Sequence, residues 1–345
     1  MFEKTPHING TTRYLRLFVG LLVGLLVAGA LLVAPSPASS TGYNYPVKPF
    51  DREHPVRGIF GDPRTLFKVP PTTEGALSGA GSYSFHFGID ISVSDGTAVY
   101  PVVSGTVSQR SAEWVGVSAG GSLSFQYWHI KPSVKVGDHV TAYKTALGHV
   151  LRGAKHVHFS ELQNGQPVNP LQPGHLTPYT DTVAPHIASV AVAKSPSTLE
   201  LPNFLRGSVD FVAEVTDRPN RPVPGIWRNM PVSPALITWR LESMTGKTAL
   251  GPSVAVDFRL HQPQNSAFWS YYARGSFQNM SVFGKHYSYM QPGRYLYRLT
   301  RTPFDTTRLK DGVYDLVVTA TDIRGNSTTE SLRITVHNRP GWIGS

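Results

Sequence analysis

Two short segments constrain this chain more than any other part of it. Phe85-His86-Phe87-Gly88-Ile89-Asp90-Ile91 and His156-Val157-His158-Phe159 alternate aromatic or β-branched residues with polar ones, the period-2 pattern of a strand. Successive strand side chains face opposite sides, so residues two or four apart share a face. His156 and His158 therefore look into one space, with Cα atoms roughly 6.6 Å apart at ~3.3 Å per residue. On a straight strand His86 and Asp90 would stand about 13 Å apart at that rise. Zinc donors lie only about 2.0–2.2 Å from their ion. For both residues to reach one ion the chain has to bend between them, and Gly88 is the residue type that permits a bulge or close turn. A lone His129 follows Tyr127-Trp128, between the two segments.

A catalytic zinc takes three protein ligands and keeps a fourth position for water. His86, Asp90 and one of His156 and His158 make such a set. The two remaining histidines are then free for proton transfer and charge stabilisation. The chain has no Cys, which excludes disulfides, thiol catalysis, Cys-ligated zinc and lipid attachment to Cys. The other histidines lack a partner at ligand spacing. No GxSxG, P-loop or GxGxxG sits on a strand-to-helix turn, so serine-nucleophile and nucleotide chemistry have no support.

These elements resemble the LytM-like, lysostaphin-type zinc metallopeptidases, peptidase family M23. The family pattern has a HxxxD element, a lone His after an aromatic residue and a HxH element, matched here by His86 to Asp90, Tyr127-Trp128-His129 and His156-Val157-His158. Phe60-Gly61-Asp62-Pro63-Arg64 looks like the family's FGxxR motif. Asp95-Gly96-Thr97-Ala98-Val99-Tyr100 with Val103-Ser104-Gly105-Thr106-Val107 looks like its GTPV…xGxV hairpin, Val134-Lys135-Val136-Gly137-Asp138 like its vkvGd turn, and Asn164-Gly165-Gln166-Pro167-Val168-Asn169-Pro170 like its closing NGxxVNP. The resemblance implies that His86, Asp90 and His158 bind one Zn2+, and that His129 and His156 serve as general base and transition-state stabiliser. It also implies cleavage of peptide bonds in bacterial peptidoglycan. Two departures lie beside the groove. His149 to Lys155 replaces a longer Gly-rich loop, and Ser160 stands where Glu commonly follows HxHF. Arg64 either reaches the site and pairs with a substrate carboxylate or ties a loop to Asp62 or Glu74.

The rest of the chain reads as mainly β. Pro and Gly are frequent, with 28 and 32 residues, which favours short strands and turns over long helices. Residues 1–16 form a basic cytoplasmic flank, 17–34 an unbroken apolar run, and 35–54 a linker. The run is long enough to span a membrane, while Ser36-Pro37-Ala38 is a passable signal-peptidase site. In either case the chain from Ser39 onward is exported. Residues 55–171 are expected to form the antiparallel metallopeptidase domain, with a loop at 70–84 rimming the site. Residues 172–185 form a second linker. Seven short strands at 187–192, 209–215, 236–241, 254–260, 294–300, 313–320 and 331–336 predict an immunoglobulin-like β-sandwich over 186–338. Its long insertion, 268–293, carries four Tyr and a Trp. Exposed, these would suit a glycan or protein surface, though aromatics in such a segment more often pack.

The function these features support is an exported zinc metalloendopeptidase acting on peptidoglycan peptides. The alternative is a non-catalytic protein of the same fold that regulates wall hydrolysis. Members of that kind usually lack ligands, and the full set is present here. The net charge of +10 favours polyanions such as anionic wall polymers. Lys and Arg do not cluster in a run, and no nucleic acid partner is expected.

Overall fold

Alternation of apolar and polar residues, broken by Gly and Pro, gives a mainly β molecule. The computed structural model describes residues 42–67, 81–194, 204–281 and 290–339. The apolar run 17–34 and the first part of the expected rim loop, 70–80, lie outside the described residues. Among those described, no helix is long and apolar enough to cross a membrane.

The first part of the chain runs through β1 (Val56–Gly58), β2 (Pro63–Phe67), β3 (Gly81–Phe85), β4 (Ile89–Ser92), β5 (Ala98–Val99), β6 (Gly105–Arg110), β7 (Trp114–Gly120), β8 (Leu123–Trp128), β9 (Ile130–Pro132), β10 (His139–Val140), β11 (Gly148–Val150), β12 (His156–Gln163) and β13 (Gln166–Val168). One antiparallel sheet has the order β1-β4-β12-β8-β7-β6-β10, with β13 also on β12. A small sheet orders β5-β11-β9, and β2 pairs with β3 as a separate hairpin. Residues 81–84, expected in the rim loop, are thus strand.

Strand β12 is buried from His156 to Glu161, because both of its faces are used. One carries Val157 and Phe159 into a core with Ile89, Ile91, Phe125 and Tyr127. That core is closed from behind by residues read from sequence as linker. Tyr43, Tyr45 and Val47 are buried, and the Tyr43 ring sits edge-on to Phe125 and Phe159 at 5.1 and 5.7 Å. Its hydroxyl donates to the buried Glu161 carboxylate, which His175 also contacts at 2.7 Å. Residues 45–47 are all buried, and 46–49 bend instead of extending as a strand. The other face of β12 carries His156 and His158.

The second part has β14 (His186–Ala193), β15 (Phe204–Leu205), β16 (Ser208–Thr216), β17 (Leu236–Ser243), β18 (Thr248–Asp257), β19 (Met280–Ser281), β20 (Met290–Gln291), β21 (Leu296–Arg298), β22 (Phe304–Asp305), β23 (Gly312–Thr321) and β24 (Ser327–Val336). A strand occurs at each of the seven expected places, but β21 is shorter than its expected 294–300, and β18 starts six residues before the expected 254–260 and stops at Asp257. They form a sheet β14-β16-β21, with β22 on β16, and a sheet β15-β24-β23-β17-β18. Phe211, Val215, Ile237, Trp239, Leu316 and Val318 share one core.

That core also takes in Phe60 and Phe85 from the first part. The Phe85 ring lies 5.3 Å from Phe268 and 5.7 Å from Phe258. A one-turn helix α1 (Phe268–Tyr271) presents Phe268 and Trp269 to β3. The aromatic segment 268–272 therefore packs instead of displaying a binding surface: Phe268 and Tyr272 are fully buried. Residues 282–289 of the insertion lie outside the described residues. Hydrogen bonds seal the same seam. Ser233 N donates to Asp62 Oδ1 at 2.7 Å, Tyr272 Oη to Gly61 O at 2.8 Å, and Phe85 N to Asn265 Oδ1 at 3.0 Å. The second part is thus anchored on Phe85, which precedes His86, and on Gly61 and Asp62, whose backbones hydrogen-bond the His86 backbone.

Candidate metal centre

Cross-strand register sets the site. Asp90 on β4 lies opposite His158 on β12, His158 opposite Trp128 on β8, and Trp128 opposite Trp114 on β7. Directly opposed residues share a sheet face, so these four make one row. The two indoles stack at 4.6 Å, forming an aromatic shelf beside the donors. His86 joins from the 86–88 turn between β3 and β4, where the chain bends as the donor spacing requires. Gly88 is what lets it: a Cβ there would meet Phe159 O at 2.3 Å and Ser160 Oγ at 2.5 Å. Gly58, opposite Asp90 on β1, is similarly forced, since a Cβ would sit 2.7 Å from Asp90 Oδ2 and 2.8 Å from Arg64 Nη2.

The structure brings His86, Asp90 and His158 together. His86 Nε2 lies 2.7 Å from His158 Nδ1, and Asp90 Oδ1 lies 3.2 Å from each of them. A tetrahedral ion with donors at about 2.0–2.1 Å spaces them by roughly 3.3 Å, so the triangle is close to the right size for one ion. The outer nitrogens reinforce this. His86 Nδ1 is 2.9 Å from Ile59 O. A carbonyl only accepts, so neutral His86 carries its proton on Nδ1 and turns the bare Nε2 lone pair inward. His158 Nε2 is 2.8 Å from Ser160 Oγ, which can take that N–H and leave Nδ1 bare. Such outer partners fix the tautomer of a metal-binding histidine. All three donors are buried, and a cluster of inward lone pairs calls for a cation.

Burial, with Arg64 nearby, pushes His86 down to about 3 and so keeps it neutral. Burial alone would raise Asp90, but His86, His156 and Arg64 outweigh it and hold the carboxyl well below its ordinary range. Arg64 donates from Nη2 to Asp90 Oδ2 at 2.9 Å and lies 3.6 Å from Asp62. Of its two sequence readings, the observed contacts tie it to the loop carboxylate Asp62 and to Asp90.

His156 and His129 flank the donors. His156 Nε2 is 3.6 Å from Asp90 Oδ1, and the His129 ring centre is 4.5 Å from that of His156. His129 sits between β8 and β9 with φ of 64°, a left-handed conformation uncommon for a residue with a Cβ and typical of functional sites. Burial pushes His156 down to about 4 and lowers His129 as well.

Sequence reasoning passed over Arg57 and Trp227. Arg57 Nη2 is 2.7 Å from His156 Nδ1, and its guanidinium lies 4.2 Å from the Trp227 ring centre. Trp227 comes from the second part of the chain, so no local signal could have paired them. A second cluster was also missed. Asp181, Asp217 and Asp322 place carboxylate oxygens within 4.8 Å of one another. Asp217 accepts from Arg218 N and Asp322 from Arg324 N and Asn326 N, and the Asp217 backbone pairs with Val232 as an isolated β-bridge.

Residues 84–170 match the model of peptidase family M23. No curated protein sequence matches the chain. Among solved structures it is similar to a chain of the SpoIIQ-SpoIIIAH pore forming complex, at 24% identity over 38% of this chain and 90% of that one, TM-score 0.29. A zinc containing peptidase from Vibrio cholerae is similar at 22% identity over 37% and 39%, TM-score 0.29. The lysostaphin catalytic domain from Staphylococcus simulans is similar at 22% identity over 32% and 86%, TM-score 0.24. Residues 84–170 of this chain are a domain of peptidase family M23.

Proposed function

We propose that this protein is an exported zinc metalloendopeptidase that cleaves peptide bonds in bacterial peptidoglycan. The observation that carries the reading is the donor triangle of His86, Asp90 and His158, with the outer nitrogen of His86 committed to a carbonyl. These three residues would hold one Zn2+. When bound, zinc polarises a scissile carbonyl and acidifies a water.

The chain's own residues supply the rest. His156 Nδ1 lies 2.6 Å from Ala154 O. A bare Nδ1 would be repelled by that carbonyl, so Nδ1 bears the proton and Nε2 faces the donors bare. His156 is then built to take a proton from the attacking water, and its lowered pKa keeps it neutral and ready at pH 7. His129, beside it, presents an imidazole N–H to the developing oxyanion. The Trp114–Trp128 shelf and buried sheet face exclude bulk water from one side of this space.

Export rests on the apolar run 17–34, as an anchor or cleaved signal, with the catalytic part outside the cytoplasmic membrane. Sheet orders β14-β16-β21 and β24-β23-β17-β18 support an immunoglobulin-like sandwich for the second part. Partners would be peptidoglycan peptides and, through the basic surface, anionic wall polymers.

The test is mass spectrometry of purified peptidoglycan after incubation with the protein, with and without a chelator. New peptide termini that vanish with chelator, and about one zinc per chain, are expected. His158→Ala should lose both metal and lytic activity. An active, zinc-free His158→Ala protein would sink the reading.

A further inference from the structure

Arg57 is a cation with unused hydrogen-bonding capacity at the edge of the donor cluster. Its Nε is buried without a hydrogen-bond partner. Its Nη2 points at His156 Nδ1 from 2.7 Å, yet that nitrogen already bears the proton donated to Ala154 O at 2.6 Å. An arginine N–H facing an imidazole N–H makes no bond. Among the described residues no carboxylate pairs with Arg57, and the acid nearest in charge, Asp90, is occupied by Arg64 through Oδ2. What holds the guanidinium is the face of Trp227, 4.2 Å away, an attraction that fixes a cation without neutralising it. Trp227 closes a one-turn 3-10 segment, Gly225–Trp227, in the second part of the chain. That part is fastened to the first by Ser233 on Asp62 and Tyr272 on Gly61, so its tryptophan is held against Arg57.

We propose that Arg57, backed by Trp227, is a specificity-determining residue that binds a substrate carboxylate next to the scissile bond. The substrate class is then a peptide carrying a free acid at a residue flanking the cleaved bond, in preference to the same peptide amidated. A planar guanidinium pairs with a carboxylate through two parallel bonds. Such a partner would pair with the terminal Nη donors and neutralise a cation that burial, with Arg64 close by, has pushed down to about 10. The second part of the chain thereby takes part in substrate choice through Trp227. This inference rests on the peptidase reading.

The test compares two synthetic stem peptides that differ only in having free or amidated carboxylates beside the cleaved bond. Kinetics are measured on the zinc-loaded full chain, and affinities by calorimetry on the chelated protein. Wild type should show KM about tenfold lower for the acid peptide, with kcat changed much less. Arg57→Gln and Trp227→Leu, each checked for zinc content and circular dichroism, should bring the two KM values together, and the calorimetric preference for the acid should vanish in both. Equal KM values in wild type, a preference that survives Arg57→Gln, or faster turnover of both peptides in that variant would overturn the proposal. If neither peptide is cleaved but calorimetry still shows an Arg57-dependent preference for the acid, the peptidase reading fails while the carboxylate site stands. No cleavage and no preference removes both.

Discussion

Among the described residues, the cluster around Asp90 and the cluster around Asp217 differ in what surrounds a buried carboxylate. Around Asp90, a single carboxylate meets two imidazoles and a guanidinium, and its pKa falls well below the usual range in spite of burial. Around Asp217, three carboxylates meet one another. Burial, with Asp181 and Asp322 adding repulsion, drives Asp217 up to about 8, and burial brings Asp181 to about 6. Burial is common to both, so the sign of the shift is decided by what else is buried alongside. A carboxylate that stays ionised in a dry place, beside bare nitrogens, is prepared for a cation. One that is forced to hold its proton is a cost to the fold above its pKa.

Removing the charge that distinguishes the first cluster should have the largest effect. Asp90→Ala leaves two imidazoles and no anion. We expect zinc to be lost on dialysis and kcat/KM on peptidoglycan peptides to fall by more than about 10³, read by metal analysis and peptide release. Retained zinc would mean the carboxylate is not a ligand.

Next in size is the guanidinium. Arg64 bonds the Asp90 oxygen that faces away from the donor triangle. Arg64→Ala should weaken zinc binding about 10–100-fold, the usual loss when an outer partner of a ligand goes, measured by competition with a chromogenic chelator. Arg64→Lys should recover only part, because an ammonium lacks the planar fork that also reaches Asp62. Ser160→Ala should give a smaller loss, near the bottom of that range, since it removes a neutral partner from His158. If Ser160→Ala matches Arg64→Ala, orientation of the imidazole matters more than charge, and charge is not what sets the Asp90 cluster apart.

What could be read from sequence divides in the same way between local and distant. The bend at Gly88, the shared face of His156 and His158 and the seven strands of the second part all depend on neighbours in sequence, and period-2 patterning exposes them. Three features were hidden because they pair residues far apart. Tyr43 reads as linker until Glu161 and Phe159 are found behind the sheet. The aromatic residues 268–272 read as a possible surface until Phe85 is found against them. Asp217 and Asp322 each bond backbone N–H groups close by in sequence, yet their carboxylates meet only in the folded chain. Arg64 illustrates a further limit. Its motif placed it near the site, but only the fold shows that both of its acidic partners are internal.

The remaining effect is on stability, and its sign tests the second half of the comparison. In the unfolded chain Asp217 titrates near the ordinary 3.8 of an aspartate, and in the folded protein at about 8. Between these values the folded state binds the extra proton, so stability is fullest below about pH 4 for this group and is lost as pH rises through 8. Asp181, raised to about 6, adds in the same direction over a lower window. The wild-type Tm should therefore fall between pH 5 and pH 8, by about 2–4 °C for each kcal/mol lost. Asp217→Asn keeps the acceptor that Arg218 N uses but cannot ionise. Its Tm should exceed wild type at pH 8, converge towards it at pH 5, and depend less on pH between them. Scanning calorimetry of both proteins across that range decides it. A wild-type Tm that rises with pH, or an Asn variant that is less stable at pH 8, would show that the three carboxylates are relieved by something other than a proton, and the contrast with Asp90 would no longer hold.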